Sequence, residues 1–180
     1  MRRDPFADLK PLVARVYAYV AWRIGEGPEA EDVTSEVFER AIRYRDRYDA
    51  SKGAPEAWLI GIARRCIVDA HASQAAARGS IDDEHGDGVD LEGELVGRLT
   101  LQSAIANLGD RDRELIALRY GADLSGRQIA ELLEMKTNAV DVALHRALAR
   151  LRELLEPEGR RNDEGEGILP SPIVGDLERT

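Results

Sequence analysis

Apolar residues recur at intervals of three and four positions along most of this 180-residue chain, which is the spacing of amphipathic helices. In the N-terminal part, three such stripes begin near Leu9, Val33 and Trp58. Pro28 and Pro55 stand where the second and third helices are expected to begin, a position that proline favours. No stretch alternates apolar and polar residues as a half-buried strand does. The pattern therefore predicts an all-α fold.

The C-terminal part predicts three helices, the first over residues 108–120 and the last two forming a helix-turn-helix. Ser125 is expected to be the N-cap of the second helix, and Thr137 is expected to cap the third. Such a unit places the first turn of its second helix in the major groove of DNA. The third helix carries its apolar residues at helical spacing, at Val140, Leu144, Leu148, Leu151 and Leu155.

Two acidic segments with little apolar content divide the chain. Residues 79–94 are acidic and contain glycine, so their composition predicts a flexible linker. Residues 156–180 predict a disordered acidic tail. The expected architecture is two helical domains, residues 5–78 and 95–155, joined by the flexible acidic linker, with the helix-turn-helix in the second domain.

The net charge of −9 argues at first against a partner made of nucleic acid. Its distribution changes that argument, because residues 80–98 carry a net −6 and residues 156–180 a net −4. The rest of the chain sums to +1, so the acidity belongs to the predicted linker and tail. A charge of +1 is weak for a protein that must hold DNA unaided.

The sequence predicts neither catalysis nor a cofactor. Cys66 is the only cysteine, which excludes a disulfide within the chain, and His71, His85 and His145 lack the spacing of metal ligands. There is no phosphate-cradling glycine loop and no nucleophile motif. No apolar run is long enough to cross a membrane and no signal peptide is recognisable, so the chain is expected to be cytoplasmic without membrane insertion.

Several groups of residues match a known family when they are taken in order along the chain. They are Glu31-Asp32-Val33 with Glu36 and Phe38, then Trp58-Leu59 with Ile62-Ala63-Arg64 and Asp69, then Arg113-Glu114, Leu118-Arg119-Tyr120 and His145-Arg146-Ala147. With the linker between them, they resemble an extracytoplasmic-function (ECF) sigma factor, the smallest kind of bacterial RNA polymerase sigma subunit. The resemblance covers nearly all of residues 6–155.

The resemblance implies that residues 5–78 bind core RNA polymerase and read the minus-ten promoter element. Asp32 and Glu36 lie four positions apart and share a helix face, where they would pair with basic groups of the polymerase. Phe38 would supply an apolar anchor beside them. A solvated acidic face is the alternative interpretation of the two carboxylates.

The loop after the second helix combines basic and aromatic residues, a pattern that suits single-stranded DNA. Arg47 and Lys52 would follow phosphates, and the ring of Tyr48 would stack on an unpaired base. The resemblance implies that this loop captures a base flipped from the melted strand. It also implies that Arg64 and Arg65 contact promoter DNA. A charged surface loop without a role is the alternative.

The resemblance implies that residues 95–155 read the minus-thirty-five element. Asp141 stands where a basic residue is common in the family, and its carboxylate could accept a hydrogen bond from a cytosine amino group. The residues expected to approach phosphates are Ser125, Arg127, Gln128, His145 and Arg146. Those expected to reach base edges are Thr137, Asn138 and Asp141.

The sequence therefore predicts a sigma factor whose partners are core RNA polymerase and promoter DNA. The resemblance further implies an anti-sigma factor that covers the same surfaces. Two alternatives stay open from the residues alone. One is a sigma-like interaction protein that binds polymerase or an anti-sigma factor without reading promoters, and the other is a stand-alone helix-turn-helix regulator.

Overall fold

A computed structural model describes residue 6 and residues 8–77 and 94–156. Within those ranges all regular secondary structure is helical, which confirms the predicted fold class. The predicted linker up to residue 93 and the predicted tail beyond residue 156 lie outside the described residues. The helices are α1 Leu9–Ile24, α2 Pro28–Arg43, α3 Pro55–Ala77, α4 Glu94–Ala106, α5 Asp110–Ile116, α6 Gly126–Leu133 and α7 Thr137–Leu155, with a 3-10 turn at Arg45–Arg47 and a π-helical turn at Ala117–Gly121.

Helices α1, α2 and α3 pack together into the N-terminal domain around one buried face of each helix. Gly25 and Gly27 have positive φ angles of 96° and 128°, so the chain reverses between α1 and α2 in conformations that side-chain-bearing residues rarely adopt. Pro28 then begins α2, as predicted. The buried residues of α2 follow helical spacing, at Ala30, Val33, Thr34, Val37 and Ala41.

The C-terminal domain contains α4, which the sequence did not predict, in addition to the three expected helices. Arg113 fixes the end of α4, because its guanidinium donates hydrogen bonds to the carbonyl oxygens of Ile105, Ala106 and Leu108 at 2.5–3.1 Å. The predicted helix over residues 108–120 is realised as α5 followed directly by the π-helical turn. Helices α4, α5 and α7 pack around a small hydrophobic core, formed by Ala104, Ile105, Leu108, Ile116, Ala147 and Leu151.

The helix-turn-helix consists of α6 and α7. Ser125 is the N-cap of α6, as predicted: it receives a hydrogen bond from the amide of Gln128, whose side chain accepts one from the Ser125 amide. Glu134 ends α6 in the left-handed conformation, at φ 54° and ψ 41°. The prediction that Thr137 caps α7 is wrong. Lys136 holds the N-cap position because its carbonyl accepts hydrogen bonds from the amides of Ala139 and Val140.

The two domains share a hydrophobic core, which the pattern of apolar residues in the sequence does not predict. The π-helical turn lies directly against α1. A Cβ on Gly121 would lie 3.0 Å from the Cα of Tyr19, so only glycine fits this approach without displacement. The C-terminal residues that belong to this shared core include Leu115, Leu118, Leu124 and Ile129.

Candidate nucleic-acid and protein interfaces

The acidic face of α2 carries two carboxylates with different surroundings. Asp32 is exposed to solvent. Glu36 accepts a hydrogen bond from Arg40 at 2.6 Å, and Arg40 also contacts Asp69 of α3 at 2.7 Å. Hydrogen bonding to Glu36 and Asp69 raises the pKa of Arg40 above its ordinary value. Glu36 is therefore part of a bridge between α2 and α3, while Asp32 is available to a partner.

Phe38 is half-buried against the core and lines an apolar groove of about 400 Å³ on the N-terminal domain. Leu9, Val13 and Ile42 form exposed parts of this groove, with 46%, 40% and 74% of their surface accessible. The sequence did not identify these three residues, because apolar positions in a helical stripe predict burial. Their exposure shows an apolar surface next to the acidic face of α2.

Residues 44–54, between α2 and α3, form the basic loop. Its predicted DNA-contacting aromatic residue, Tyr48, lies in an internal aromatic cluster. The ring of Tyr48 contacts Phe6 and Trp58, with centroids 5.2 and 5.4 Å away, and its hydroxyl donates to the Gly53 carbonyl. Burial raises the pKa of Tyr48. The exposed ring of this loop is instead Tyr44, which lies 4.7 Å from the guanidinium of Arg47. Lys52 is exposed.

Helix α3 carries the two adjacent arginines predicted to contact DNA, and their side chains have different surroundings. Arg65 is exposed. Arg64 reaches the C-terminal domain, where its Nε lies 2.9 Å from Glu114 and its Nη1 lies 3.4 Å from the Leu132 carbonyl. Both arginines line a cleft of about 990 Å³ between the domains. The contact between Arg64 and the other domain was not predicted from the sequence.

At the start of α6, two polar side chains are occupied by hydrogen bonds within the helix cap and a third extends into solvent. Ser125 and Gln128 satisfy each other in the capping box. Arg127 extends into solvent with 84% of its side chain exposed, and its Nε lies 2.9 Å from the carboxylate of Glu131, whose side chain is 56% exposed. Exposed pairs of this kind contribute about 0–1 kcal/mol, so a phosphate could replace Glu131 as the partner of Arg127.

Helix α7 exposes all five of its predicted DNA-contacting residues. Thr137 and Asn138 occupy its first turn, and Asp141 follows one turn later. The Asp141 carboxylate is directed towards the start of α6, since its Oδ1 would lie 3.0 Å from a Cβ on Gly126. His145 and Arg146 continue the exposed surface. The opposite side of α7 is fixed in the core through Val140, Ala147 and Leu151.

The described residues also bear on metal binding and on membrane insertion. Residues 6, 8–77 and 94–156 contain no grouping of three or more histidine, cysteine or acidic side chains that could hold a metal ion. Among the helices of the same part of the chain, none is both long enough and apolar enough to cross a bilayer. Cys66 is buried, and burial raises the pKa of its thiol.

Two protein families match the chain, one over each domain. Sigma-70 region 2 matches residues 8–77, and Sigma-70, region 4 matches residues 98–151. The matched segments together contain the α2 face, the basic loop, the paired arginines of α3, and the helix-turn-helix up to residue 151. These matches define a sigma-70 type protein.

Similar proteins identify the group of sigma factors to which the chain belongs. The ECF RNA polymerase sigma factor SigK of Mycobacterium ulcerans (strain Agy99) is 28% identical over 163 residues, which cover 86% of this chain and 87% of the relative. SigD of Mycobacterium tuberculosis (strain ATCC 25618 / H37Rv) is 31% identical over 175 residues, which cover 87% of this chain and 78% of the relative. The chain therefore belongs to the ECF RNA polymerase sigma factors, which direct promoter recognition in transcription initiation.

Solved structures share the fold. The sigma factor RpoE from Bartonella quintana, solved in complex with the anti-sigma factor NepR, superposes with a TM-score of 0.68 at 19% identity, covering 83% of this chain and 95% of that chain. CnrH, solved in complex with the cytosolic domain of CnrY, superposes with a TM-score of 0.57 at 25% identity, covering 79% of this chain and 80% of that chain.

Proposed function

We propose that residues 5–78 bind core RNA polymerase and read the minus-ten element, that residues 79–94 link the domains, and that residues 95–155 read the minus-thirty-five element. The observation that carries the proposal is the exposed polar surface of α7, beginning at Thr137 and opposite a face anchored by Val140. A recognition helix needs this arrangement, with its first turns free and its other side rigidly held.

On the C-terminal domain, two sets of side chains have different roles. Thr137, Asn138 and Asp141 read base edges, because they occupy the first two turns of α7. The others bind phosphate oxygens and set the position of the helix on the duplex. This second set comprises Ser125, Arg127 and Gln128 at the start of α6, and His145 and Arg146 along α7.

On the N-terminal domain, polymerase binds the acidic face of α2 and the apolar groove next to it. Asp32 is the exposed charge of this surface, Glu36 adds a second carboxylate, and Phe38 lines the groove. An apolar centre with a charged rim is the usual composition of a protein interface. The whole described chain is close to neutral, so polymerase supplies much of the affinity for DNA.

Promoter melting involves the basic loop and α3. Arg47 and Lys52 follow the phosphates of the unpaired strand, and Arg65 is exposed for the same purpose. Tyr48 contributes once it leaves its internal aromatic cluster, or indirectly by holding the loop in shape. Arg64 is available to DNA only when its contact with Glu114 is released.

The protein works in the cytoplasm and performs no catalysis, since the polymerase supplies the phosphodiester chemistry. An anti-sigma factor is a further partner. Support comes from the two solved neighbours, RpoE with the anti-sigma factor NepR and CnrH with the cytosolic domain of CnrY. An occupant of the same surfaces would compete with polymerase.

Charge reversal on α2 tests the polymerase contact. We expect Asp32→Lys to weaken the binding of core polymerase by about tenfold or more, because it places a cation opposite basic groups of the partner. Glu36→Lys combined with Asp32→Lys should weaken binding further, but it also breaks the contact between Glu36 and Arg40. The single variant is therefore the cleaner test, measured by titrating labelled protein with core polymerase.

The matched control reverses one exposed charge on the other domain, Glu153→Lys. Circular dichroism verifies that each variant remains helical. Equal affinity of wild type and Asp32→Lys for core polymerase would refute the assignment of this surface. Run-off transcription on a genomic fragment library tests promoter reading itself. Polymerase binding without any selected promoter would favour a sigma-like interaction protein.

A further inference from the structure

Three aromatic rings meet where the basic loop contacts the start of α3 and the segment ahead of α1. The ring centroid of Phe6 lies 5.2 Å from that of Tyr48 and 5.7 Å from that of Trp58, and the Tyr48 and Trp58 centroids are 5.4 Å apart. The guanidinium of Arg45 lies over the Phe6 ring, 5.8 Å from its centroid. We call Tyr48, Trp58 and Arg45 the aromatic site, which Phe6 occupies.

The surroundings of the Phe6 ring are those that suit an unpaired nucleobase. Proteins that bind single-stranded nucleic acid stack bases on aromatic side chains and place cations beside them. Phe6 is likewise a flat ring between two aromatic side chains and a cation. Arg47 and Lys52, which are predicted to follow phosphates, belong to the same loop. The aromatic site therefore fits a flat ring, and in the structure that ring belongs to the protein itself.

The backbone around Phe6 makes it the easiest of the three rings to displace. The hydroxyl of Tyr48 donates a hydrogen bond to the Gly53 carbonyl at 3.1 Å, which fixes this ring within the loop. Trp58 is in the first turn of α3, and its amide donates to the Ala54 carbonyl at 3.3 Å. Phe6 lies outside the helices, ahead of α1. Segments outside regular secondary structure open at a lower cost in free energy than helices do.

The ring contacts of Phe6 can be replaced by stronger ones. Its plane meets that of Tyr48 at 73°, edge to face, and that of Trp58 at 58°. One such ring pair changes an equilibrium constant by about 2- to 12-fold. A base stacked on an aromatic side chain changes it by roughly 5- to 160-fold. A base can therefore displace Phe6, and the adjoining apolar groove, which Phe6 also lines, offers the displaced ring a surface.

We propose that the aromatic site binds one unpaired base of the melted strand and that Phe6 is a plug which this base displaces. The inference rests on the proposed function, because that function places the unpaired strand on the basic loop. Only the unplugged fraction of the protein can bind a base, so the plug lowers the apparent affinity of the site by that fraction. Capture is thereby restricted to strands that the loop already holds by their phosphates.

The test measures the binding of single-stranded DNA to the complex with core polymerase. The probe is an oligonucleotide selected on the wild-type complex from a random single-stranded pool, after removal of the sequences that core polymerase binds alone. Fluorescence anisotropy of the labelled probe gives its affinity. We expect Phe6→Ala to raise this affinity by about three- to tenfold, because the plug is gone. Phe6→Leu, which keeps an apolar side chain without a ring, should give a smaller gain.

Two further variants show whether the effect belongs to the aromatic site. Tyr48→Leu removes the stacking face and should lower the affinity by about fivefold or more. Leu154→Ala is the matched control, since it removes an apolar side chain that is 45% exposed on the other domain. It should leave the affinity for the single strand unchanged. Circular dichroism verifies that every variant remains helical.

Abasic positions in the probe distinguish a plug from a structural role of Phe6. The stacked base is the one whose removal weakens binding to wild type but not to Tyr48→Leu. On a probe without this base, Phe6→Ala and wild type should bind equally, because no base competes with the plug. A gain that persists on the abasic probe would overturn the proposal, since Phe6 would then act elsewhere.

The direction of the Phe6→Ala effect also decides the matter. Weaker binding would mean that the ring supports the bound base or the shape of the loop, and the plug would be refuted. Binding that responds to Tyr48→Leu but not to Phe6→Ala or Phe6→Leu would refute the plug alone. If the wild-type complex retains no single strand beyond those that core polymerase binds alone, the proposed function fails, and the plug fails with it.

Discussion

Alanine substitutions at two glycines of the domain contact should have opposite effects on stability. Gly121 faces the backbone of α1, and a Cβ there would lie 3.0 Å from Tyr19 Cα and 3.1 Å from the Ala18 carbonyl group. Gly61 is inside α3, and its added Cβ would meet only the terminal carbon of Leu132 at 3.9 Å, an ordinary contact distance. The chemical change is identical, so only the local space differs.

The magnitudes follow from these distances. Because backbone atoms of α1 cannot move aside as a flexible side chain can, overpacking at Gly121 should cost roughly 1–3 kcal/mol. Replacing a helical glycine by alanine stabilises the fold by up to about 1 kcal/mol at either position through helix propensity. We therefore expect Gly121→Ala to be destabilising by roughly 1 kcal/mol, and Gly61→Ala to be stabilising by up to about 1 kcal/mol.

Thermal unfolding followed by circular dichroism measures both effects. For a chain of this length, about 1 kcal/mol corresponds to a shift of roughly 2–4 °C in Tm. The two variants should therefore melt on opposite sides of the wild-type protein. The reasoning is wrong if Gly121→Ala melts at or above the wild-type temperature, because the domains would then not be in contact at this position.

Two further predictions concern ionisable groups. The pKa of Tyr19 is raised in the folded protein, so its contribution to the free energy of unfolding is complete below about pH 10 and is lost as the pH rises above that value. Urea unfolding at about pH 8 and about pH 10.5 measures this effect. The free energy of unfolding should fall more between the two pH values for wild type than for Tyr19→Phe. Asp141→Lys should raise the affinity of the polymerase complex for DNA and change the base preferred in the upstream element, as measured by selection from random DNA beside Asp141→Asn. Identical selected sequences would mean that the Asp141 carboxylate reads no base.

Local structure could be predicted from the sequence where side chains near in the chain determine it. Ser125 and Gln128 form a capping box because a hydroxyl and an amide three positions apart satisfy each other's backbone amides. Pro28 begins α2 for a similarly local reason. Thr137 was misassigned by one residue, since threonine is a preferred N-cap residue and lysine is not, and only the backbone geometry selects Lys136.

The contact between the domains could not be predicted from the sequence. The pattern of apolar residues indicates which positions are buried, but it does not indicate which element they pack against. Leu118 and Leu124 fit equally well in a core of their own domain. Glu114 matched a family motif, but nothing in its local sequence indicates that Arg23 and Arg64, 91 and 50 positions away, converge on it. The roles of the predicted polymerase- and DNA-binding residues remain predictions.

The shared core also affects protein engineering. One way to exchange promoter specificity between sigma factors is to graft the C-terminal domain of one onto the N-terminal domain of another. Here such a chimera would bring a foreign turn against the α1 backbone at Gly121 and a foreign side chain between Arg23 and Arg64. A graft that ignores α1 should separate into independently moving modules, so an exchange that preserves the contact between the domains has to transplant the facing surface of α1 together with the helix-turn-helix.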